Sequence, residues 1–278
     1  MTTQAEMQAR RDAILTFCAA QQPVTSRGVY YNLTVLGHVP KTEAGYAAAA
    51  RTVLDMRRAG VLPYPWIADL SRSVMRPYTL RDIPDALADA ARTYRLDMWQ
   101  DAEVVPHVFL EKRALAGVLR PVTDPRDVPL CPTGGQISET FAYSIVEAME
   151  GSGQALHAFT LFDCDRAGAD AHKSLAEKLE RFGASMGVPV TVEALGLHPA
   201  QVTAWGLPTR PPKRNTTADA RWPYPFAAEL DAIPPNDLRK MVQAAIEAFQ
   251  PPEVFRELRE QEAAQREELH QMMQRLSA

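Results

Sequence analysis

The first sixty residues repeat apolar positions at the spacing of amphipathic helices. Helices are predicted over three ranges, at about 5–21, 26–36 and 42–59. Pro23 stops the first helix, and Gly60 is a good stop for the third. Residues 61–69 follow as short extended pieces.

Three helices followed by a short hairpin are the order of a winged helix-turn-helix, which binds DNA. Residues 1–75 are therefore predicted to form such a domain. Its third helix is the candidate element for entering a DNA groove.

The middle of the chain alternates apolar runs with helical patterns, which is typical of a parallel sheet flanked by helices. The runs 104–110, 158–162 and 188–195 are predicted strands. Helical patterns follow the first two runs, at 112–119 and from 169 onward. The predicted fold class is α/β, with a Rossmann-type parallel sheet over 103–196.

Two further segments complete the predicted organisation. Residues 76–102 form a connector with a helix at about 81–94. Residues 197–278 begin as a Pro-rich stretch and continue as C-terminal helices, which are predicted to start near Glu229 and Asn236. The last of these helices is highly charged. We interpret the Pro-rich stretch as an arm packed on the sheet domain, with a basic DNA-facing loop as the alternative. The last helix is either solvated or a modest dimer contact.

The net charge of −4 argues against a general nucleic-acid-binding protein, but the charged residues are distributed unevenly along the chain. Between Arg10 and Arg76, nine Lys or Arg residues stand against four Asp or Glu. A locally basic unit is the expected footprint of phosphate contact, with a solvated helix face as the alternative. The candidate DNA contacts are Lys41, Arg51, Arg57 and Arg58.

The three cysteines are scattered and form no Cys-x-x-Cys pair. This argues against a zinc site or a disulfide framework and fits a reducing cytoplasm. Neither a transmembrane run nor a signal-peptide core occurs in the sequence. We expect a cytoplasmic, nucleoid-associated protein without a membrane partner.

Three carboxylates mark the ends of predicted strands. Glu111 follows the first strand, and Asp163 and Asp165 follow the second, before a Gly168 turn into a helix. Because α/β proteins place ligands at this edge of the sheet, we expect the three to converge. Converging carboxylates need a neutralising cation, and hard oxygen ligands suit Mg²⁺ or Mn²⁺. Taken alone, the Asp-x-Asp pattern could be two solvated acids.

Glu at one strand end, Asp-x-Asp-x-x-Gly at another and the Gly134 and Gly135 turn between them resemble the Toprim domain. Toprim domains occur in topoisomerases, primases and several nucleases. The resemblance implies that the metal ligands are Glu111, Asp163 and Asp165.

The predicted second helix contains a candidate nucleophile. Arg27 and Tyr31 are four residues apart and so share one helix face. A phenol has a pKa of about 10, and a nearby guanidinium favours the phenolate and binds a phosphate under attack. Arg27 and Tyr31 would complement the carboxylates in a phosphodiester transesterification site. Alternatively, Tyr31 is a core or phosphate-contacting residue; Tyr30 is the expected core residue.

A winged helix with Arg-x-x-Tyr-Tyr before a Toprim domain resembles the A subunit of topoisomerase VI and the related meiotic double-strand-break transesterase, over about residues 20–195. The resemblance implies a homodimer that cuts double-stranded DNA through a 5′-phosphotyrosyl link at Tyr31, with Arg27 and Glu111 also catalytic. The tyrosine of one subunit would meet the metal site of the other. No ATP-binding motif occurs, so strand passage would need a separate ATPase subunit. Gly28, Arg166 and the short chain depart from the family pattern and indicate a minimal or phage-type relative.

The leading hypothesis is therefore a Mg²⁺-dependent enzyme that breaks DNA by attack of Tyr31. Two alternatives remain open. One is a Toprim nuclease that hydrolyses DNA without a covalent intermediate, similar in domain order to nuclease subunits of SMC-type plasmid-defence complexes. The other is a non-catalytic winged-helix DNA-binding protein. A primase is disfavoured because no zinc-ribbon cysteines occur.

Overall fold

The computed structural model of the protein describes residues 3–68, 77–214, 216, 217 and 219–277. Its centre is a sheet of four strands, β1 (Val104–Leu110), β2 (Leu130–Pro132), β3 (Ala155–Leu161) and β4 (Val190–Gly196). The strands lie in the order β2-β1-β3-β4, and all neighbours are parallel. The predicted α/β class is confirmed, and β2 is an addition to the three predicted strands.

The three helices predicted at the N-terminal end are present. They are α1 (Gln4–Gln21), α2 (Ser26–Val35) and α3 (Glu43–Arg58). The Thr25 hydroxyl accepts a hydrogen bond from the Gly28 N–H at 2.9 Å and thereby caps α2. Buried side chains such as Ile14 and Val29 share one hydrophobic core with Leu110 of β1. The N-terminal helices therefore pack on the sheet domain.

The predicted hairpin does not form within the described residues 61–68. Tyr64–Trp66 is a single 3₁₀ turn, and Ile67 makes an isolated parallel bridge with Val24. Pro63 and Pro65 lack the N–H groups that a strand ladder requires. Residue 69, the last of the predicted extended pieces, lies outside the described residues.

Helices cover both faces of the sheet. α4 (Ile83–Thr93) lies in the predicted connector, and α5 (Ala116–Thr123), α6 (Glu139–Glu147) and α7 (Arg166–Met186) follow β1, β2 and β3 in turn. Phe109 and Leu156 pack with side chains of α6 and α7 in one core. Val108 and Leu110 pack in the other core, with α5 and the N-terminal helices. The alternation along β1 follows from the two-residue period of a strand.

The C-terminal third folds onto the rest of the protein. Its helices are α8 (Pro199–Ala204), α9 (Pro235–Glu247) and α10 (Pro252–Ser277). The Pro-rich stretch after α8 is an arm packed on the domain, because Arg210 bridges to Ala227, and Cys164 bridges to Ala228. The helix expected to start near residue 229 is instead a one-turn 3₁₀ helix, Leu230–Ala232, before α9.

The charged helix α10 is anchored on the connector. Its Glu262 side chain accepts from the Leu96 N–H at 2.9 Å, and Tyr94 donates to Gln265 at 2.6 Å. Phe255 is fully buried. None of the helices in the described ranges is long and apolar enough to cross a membrane.

Candidate active site

Glu111 and Asp163 lie side by side just beyond the carboxyl ends of β1 and β3. These strands pair in register up to Leu110 and Leu161, which brings the following residues to the same edge. The Asp163 N–H donates to Glu111 Oε2 at 2.8 Å, and the Gly134 N–H donates to the Glu111 carbonyl at 3.0 Å. The structure thus brings together two of the three expected carboxylates, with the glycine turn beside them.

Asp165 has a different environment from Asp163. Its Oδ1 accepts from the Gly168 N–H at 2.9 Å and caps α7. Its Oδ2 pairs with Arg210 Nη2 at 2.7 Å. A Cβ on Gly168 would lie 2.1 Å from the Asp163 carbonyl oxygen, so only glycine lets α7 begin this close to the strand end. Both carboxylate oxygens of Asp165 are therefore engaged.

Lys112 places its ammonium group among the carboxylates. Its Nζ lies 3.1 Å from Asp163 Oδ1, 2.9 Å from Glu229 Oε2 and 3.1 Å from Asp231 Oδ2. Burial lowers the pKa of Lys112, but these three carboxylates raise it by more, so the ammonium stays charged. The helix predicted from residue 112 begins later, because Lys112 continues the extended backbone of β1 before a 3₁₀ turn.

Glu229 and Asp231 come from the C-terminal third, which the sequence does not connect with this site. The bridge between Cys164 and Ala228 brings their segment to the end of β3. The Leu230 N–H then donates to an Asp163 carboxylate oxygen at 2.8 Å. The one sequence feature that could have pointed to these two residues is their Glu-x-Asp pattern, which lies in a stretch predicted to start a helix.

The start of α2 contacts the two carboxylates from the C-terminal third. Arg27 Nε lies 3.2 Å from Glu229 Oε2, and the Thr25 hydroxyl donates to Asp231 Oδ1 at 2.8 Å. The Arg27 guanidinium also lies over the Tyr46 ring, 5.0 Å from its centroid. Within a single chain, the N-terminal helices therefore contact the residues at the sheet edge through Glu229 and Asp231.

Tyr31 is buried near this cluster, with 5% of its surface exposed. Burial raises the pKa of Tyr31 well above its ordinary value of about 10. The charges of Glu229 and Asp231 raise it as well, and the opposing charges of Lys112 and Arg27 do not compensate. Arg27 does lower the pKa of Tyr31, as expected, but burial and the two carboxylates raise it by more.

The pair Glu111 and Asp163 fits a divalent cation by its donor atoms. Among the described residues, none hydrogen-bonds Glu111 Oε1 or Asp163 Oδ2. Both oxygens of Asp165 are engaged in this structure, and its role as a third ligand stays a prediction. No three His, Cys, Asp or Glu side chains in the described ranges are grouped to hold a metal ion. The cluster contains five carboxylates, those of Glu111, Asp163, Asp165, Glu229 and Asp231. They outnumber the four neighbouring cations, Arg27, Lys41, Lys112 and Arg210. A bound cation would offset this excess negative charge.

The four candidate DNA contacts fall into different environments. Arg51 and Arg58 are exposed on α3, two turns apart, and so lie on the same face. The Arg57 guanidinium stacks over the Tyr64 ring at 4.3 Å. Lys41 donates to a backbone carbonyl of the Pro-rich arm and lies beside the carboxylate cluster. The exposed basic positions of α3 are therefore Arg51 and Arg58.

The pKa of Asp163 predicts a pH-dependent stability. Burial and the neighbouring Glu111 raise this pKa to about 7, against the opposing effect of Lys112. Because the folded state holds the proton more tightly than the unfolded chain, this contribution is present at low pH and is lost as pH rises through 7. Between about pH 5 and pH 8, without divalent cations, the wild type should lose about 1–3 kcal/mol of unfolding free energy relative to Asp163→Asn. Urea denaturation of both proteins measures the difference, and parallel pH profiles would contradict the raised pKa.

No protein-family model matches the chain, and no curated protein matches it. The resemblance to Toprim proteins therefore rests on the residues and the geometry described above. The function is argued from the site itself.

Proposed function

We propose that this chain is a Mg²⁺- or Mn²⁺-dependent enzyme that cleaves DNA at a Toprim-like site. The observation that carries the proposal is the pair of Glu111 and Asp163 at adjoining strand ends. Each has a carboxylate oxygen without a partner among the described residues. They lie at the edge where parallel sheets bind ligands, in a cluster with excess negative charge.

In this proposal, some residues of the site would bind the cation and others would bind the phosphate. When bound, the divalent cation would polarise the phosphodiester and lower the pKa of a bound water. Glu111 and Asp163 would hold that cation. Arg27 and Arg210, whose side chains are 33% and 25% exposed, would offer positive charge to the scissile phosphate. Without such charges, the carboxylates would repel the DNA backbone.

The proposed DNA-contacting element is α3, in a winged-helix-like N-terminal unit. Arg51 and Arg58 share its exposed face and are suited to phosphate contact. Double-stranded DNA is the proposed partner, and a homodimer would allow both strands to be cut. A separate ATPase subunit would be a further partner if the protein acts as a topoisomerase, because strand passage needs ATP hydrolysis.

Hydrolysis is the reaction that the geometry supports best. Tyr31 is buried and its pKa is raised, so its phenol stays neutral near pH 7. A neutral, buried phenol is a poor nucleophile toward a phosphodiester. This favours the metal-dependent nuclease over the tyrosyl transesterase.

Tyr31→Phe is expected to retain metal-dependent cleavage within about threefold of the wild type, because the reaction does not use the hydroxyl. The measurement is the initial rate of plasmid cleavage in Mn²⁺. Tyr30→Phe is the matched control, since Tyr30 is also 5% exposed and loses only a weak hydrogen bond to the Thr42 carbonyl. A loss of about 100-fold for Tyr31→Phe, with Tyr30→Phe unaffected, would show that the hydroxyl takes part.

Tyrosyl transesterification remains the second candidate, because Tyr31 lies within the electrostatic reach of Arg27 and Lys112. The two reactions leave different DNA ends. Supercoiled plasmid is incubated with the protein and Mg²⁺ or Mn²⁺, quenched with SDS, and analysed with and without proteinase K. Free ends support hydrolysis. Protein attached to 5′ ends would establish the covalent reaction instead, and intact plasmid at all metal concentrations would count against both.

A further inference from the structure

A cavity of about 220 Å³ opens beside the proposed cation pair and shares Asp163 with it. Its lining includes Asp163, Asp165, His172, His198, Trp222 and Tyr224. The last two belong to the Pro-rich arm, so we call it the arm cavity. It is smaller than the pockets of about 300–1,000 Å³ that hold drug-sized ligands, and it suits a single ring system.

One wall of the arm cavity is aromatic. The ring centroids of Trp222 and Tyr224 lie 5.2 Å apart. Trp222 is fixed in place, because it is 9% exposed and its Nε1–H donates to the Phe226 carbonyl at 2.8 Å. Tyr224 is 39% exposed. A fixed tryptophan beside an open tyrosine ring offers a stacking surface to a planar ligand.

Two imidazoles line the arm cavity. The Thr160 hydroxyl lies 2.8 Å from His172 Nδ1, and no described residue hydrogen-bonds His172 Nε2. His198 Nε2 lies 2.5 Å from the Ala194 carbonyl and so donates to it, which fixes this ring in place. His172 Nε2 can therefore pair with a hydrogen-bonding edge of a neutral heterocycle.

The charge of the arm cavity disfavours a phosphate. Asp163 and Asp165 contribute to its lining, and no Lys or Arg occurs among its described lining residues. Phosphate oxygens that enter the cavity itself, away from a cation held by Glu111 and Asp163, would be repelled by these carboxylates and would meet no Lys or Arg side chain of the described lining. A neutral, flat ligand with hydrogen-bonding edges avoids this repulsion. Within a DNA strand, the group with those properties is the nucleobase.

We propose that the arm cavity binds one unstacked nucleobase of the DNA strand whose phosphate lies at Glu111 and Asp163. This inference rests on the proposed function, because DNA bound at the carboxylates delivers the base. Asp163 belongs to the proposed cation pair and also lines the arm cavity. One DNA strand can therefore place a phosphate at the pair and a nearby base in the cavity. The base must leave the helical stack, so unpaired DNA should bind more tightly than a fully paired duplex.

The test measures binding rather than cleavage. A fluorescein-labelled single-stranded dodecamer is titrated with the full chain in Ca²⁺, and each nucleotide in turn is replaced by an abasic site. For the wild type, one abasic position should weaken binding by about tenfold. Tyr224→Leu should weaken binding of the intact oligomer by a similar factor and lose the sensitivity to that position. Tyr143→Leu is the matched control, because Tyr143 is 40% exposed on α6 and does not line the cavity.

The outcomes separate this inference from the proposed function. Equal binding of all abasic oligomers, or a Tyr224→Leu protein that still senses the same position, would overturn the base subsite while leaving DNA as the partner. An equal effect of Tyr143→Leu would also overturn it. Failure of the wild type to bind any oligomer would overturn both proposals.

Discussion

Asp163→Asn is expected to lower the rate of metal-dependent DNA cleavage by about 100- to 1,000-fold. The substitution removes one negative charge from the pair proposed to hold the cation. Asparagine keeps an Oδ1 that can accept from the Leu230 N–H and from Lys112, so the local fold should survive. The measurement is the initial rate of plasmid cleavage in Mn²⁺, with thermal unfolding recorded in parallel.

Asp170→Asn is the matched control for this substitution. Asp170 lies on α7, is exposed, and pairs with Arg166 rather than with the proposed cation ligands. It should retain the wild-type rate. A wild-type rate for Asp163→Asn would contradict the role given to this carboxylate, whatever the control shows.

Lys112→Met is expected to lower the free energy of unfolding by about 3–5 kcal/mol, because it leaves buried carboxylates without their shared cation. Lys112 contacts Asp163, Glu229 and Asp231 at once, and the side chain of Asp231 is only 3% exposed. Methionine nearly preserves the volume but cannot donate hydrogen bonds. Urea denaturation near pH 8 without divalent cations measures the change.

Lys173→Met tests whether the effect comes from the cluster or from the loss of any lysine. Lys173 is exposed on α7, so its substitution should change the free energy of unfolding by less than about 0.5 kcal/mol. A similarly small change for Lys112→Met would show that the carboxylates do not depend on this ammonium group.

The parts of the site at strand ends could be predicted from local pattern. The apolar run 104–110 coincides with β1, and the second run lies largely within β3 (Ala155–Leu161). Parallel strands that end together bring the next residues to one edge, so Glu111 and Asp163 could be placed near each other. The helices α1 and α3 could be predicted equally well, because each buries residues at helical spacing on one face.

The remaining parts depend on contacts between segments that are distant in the chain. Glu229 and Asp231 reach the site through the bridge between Cys164 and Ala228 and through contacts with Asp163 and Lys112. These long-range contacts produce no periodic pattern in the sequence. The spacing of Arg27 and Tyr31 correctly placed both on α2. Spacing could not show that Tyr31 is buried beside Glu229 and Asp231, which raise the pKa of its phenol by more than Arg27 lowers it.

The most direct test of the central claim is a time course of supercoiled plasmid cleavage across a Mn²⁺ series, with wild type and Asp163→Asn measured side by side. We predict that wild-type cleavage rises to saturation with Mn²⁺, stops when EDTA is added, and is nearly absent in Asp163→Asn. Cleavage that persists in EDTA, or that is equal in the two proteins, would contradict a cation site at Glu111 and Asp163.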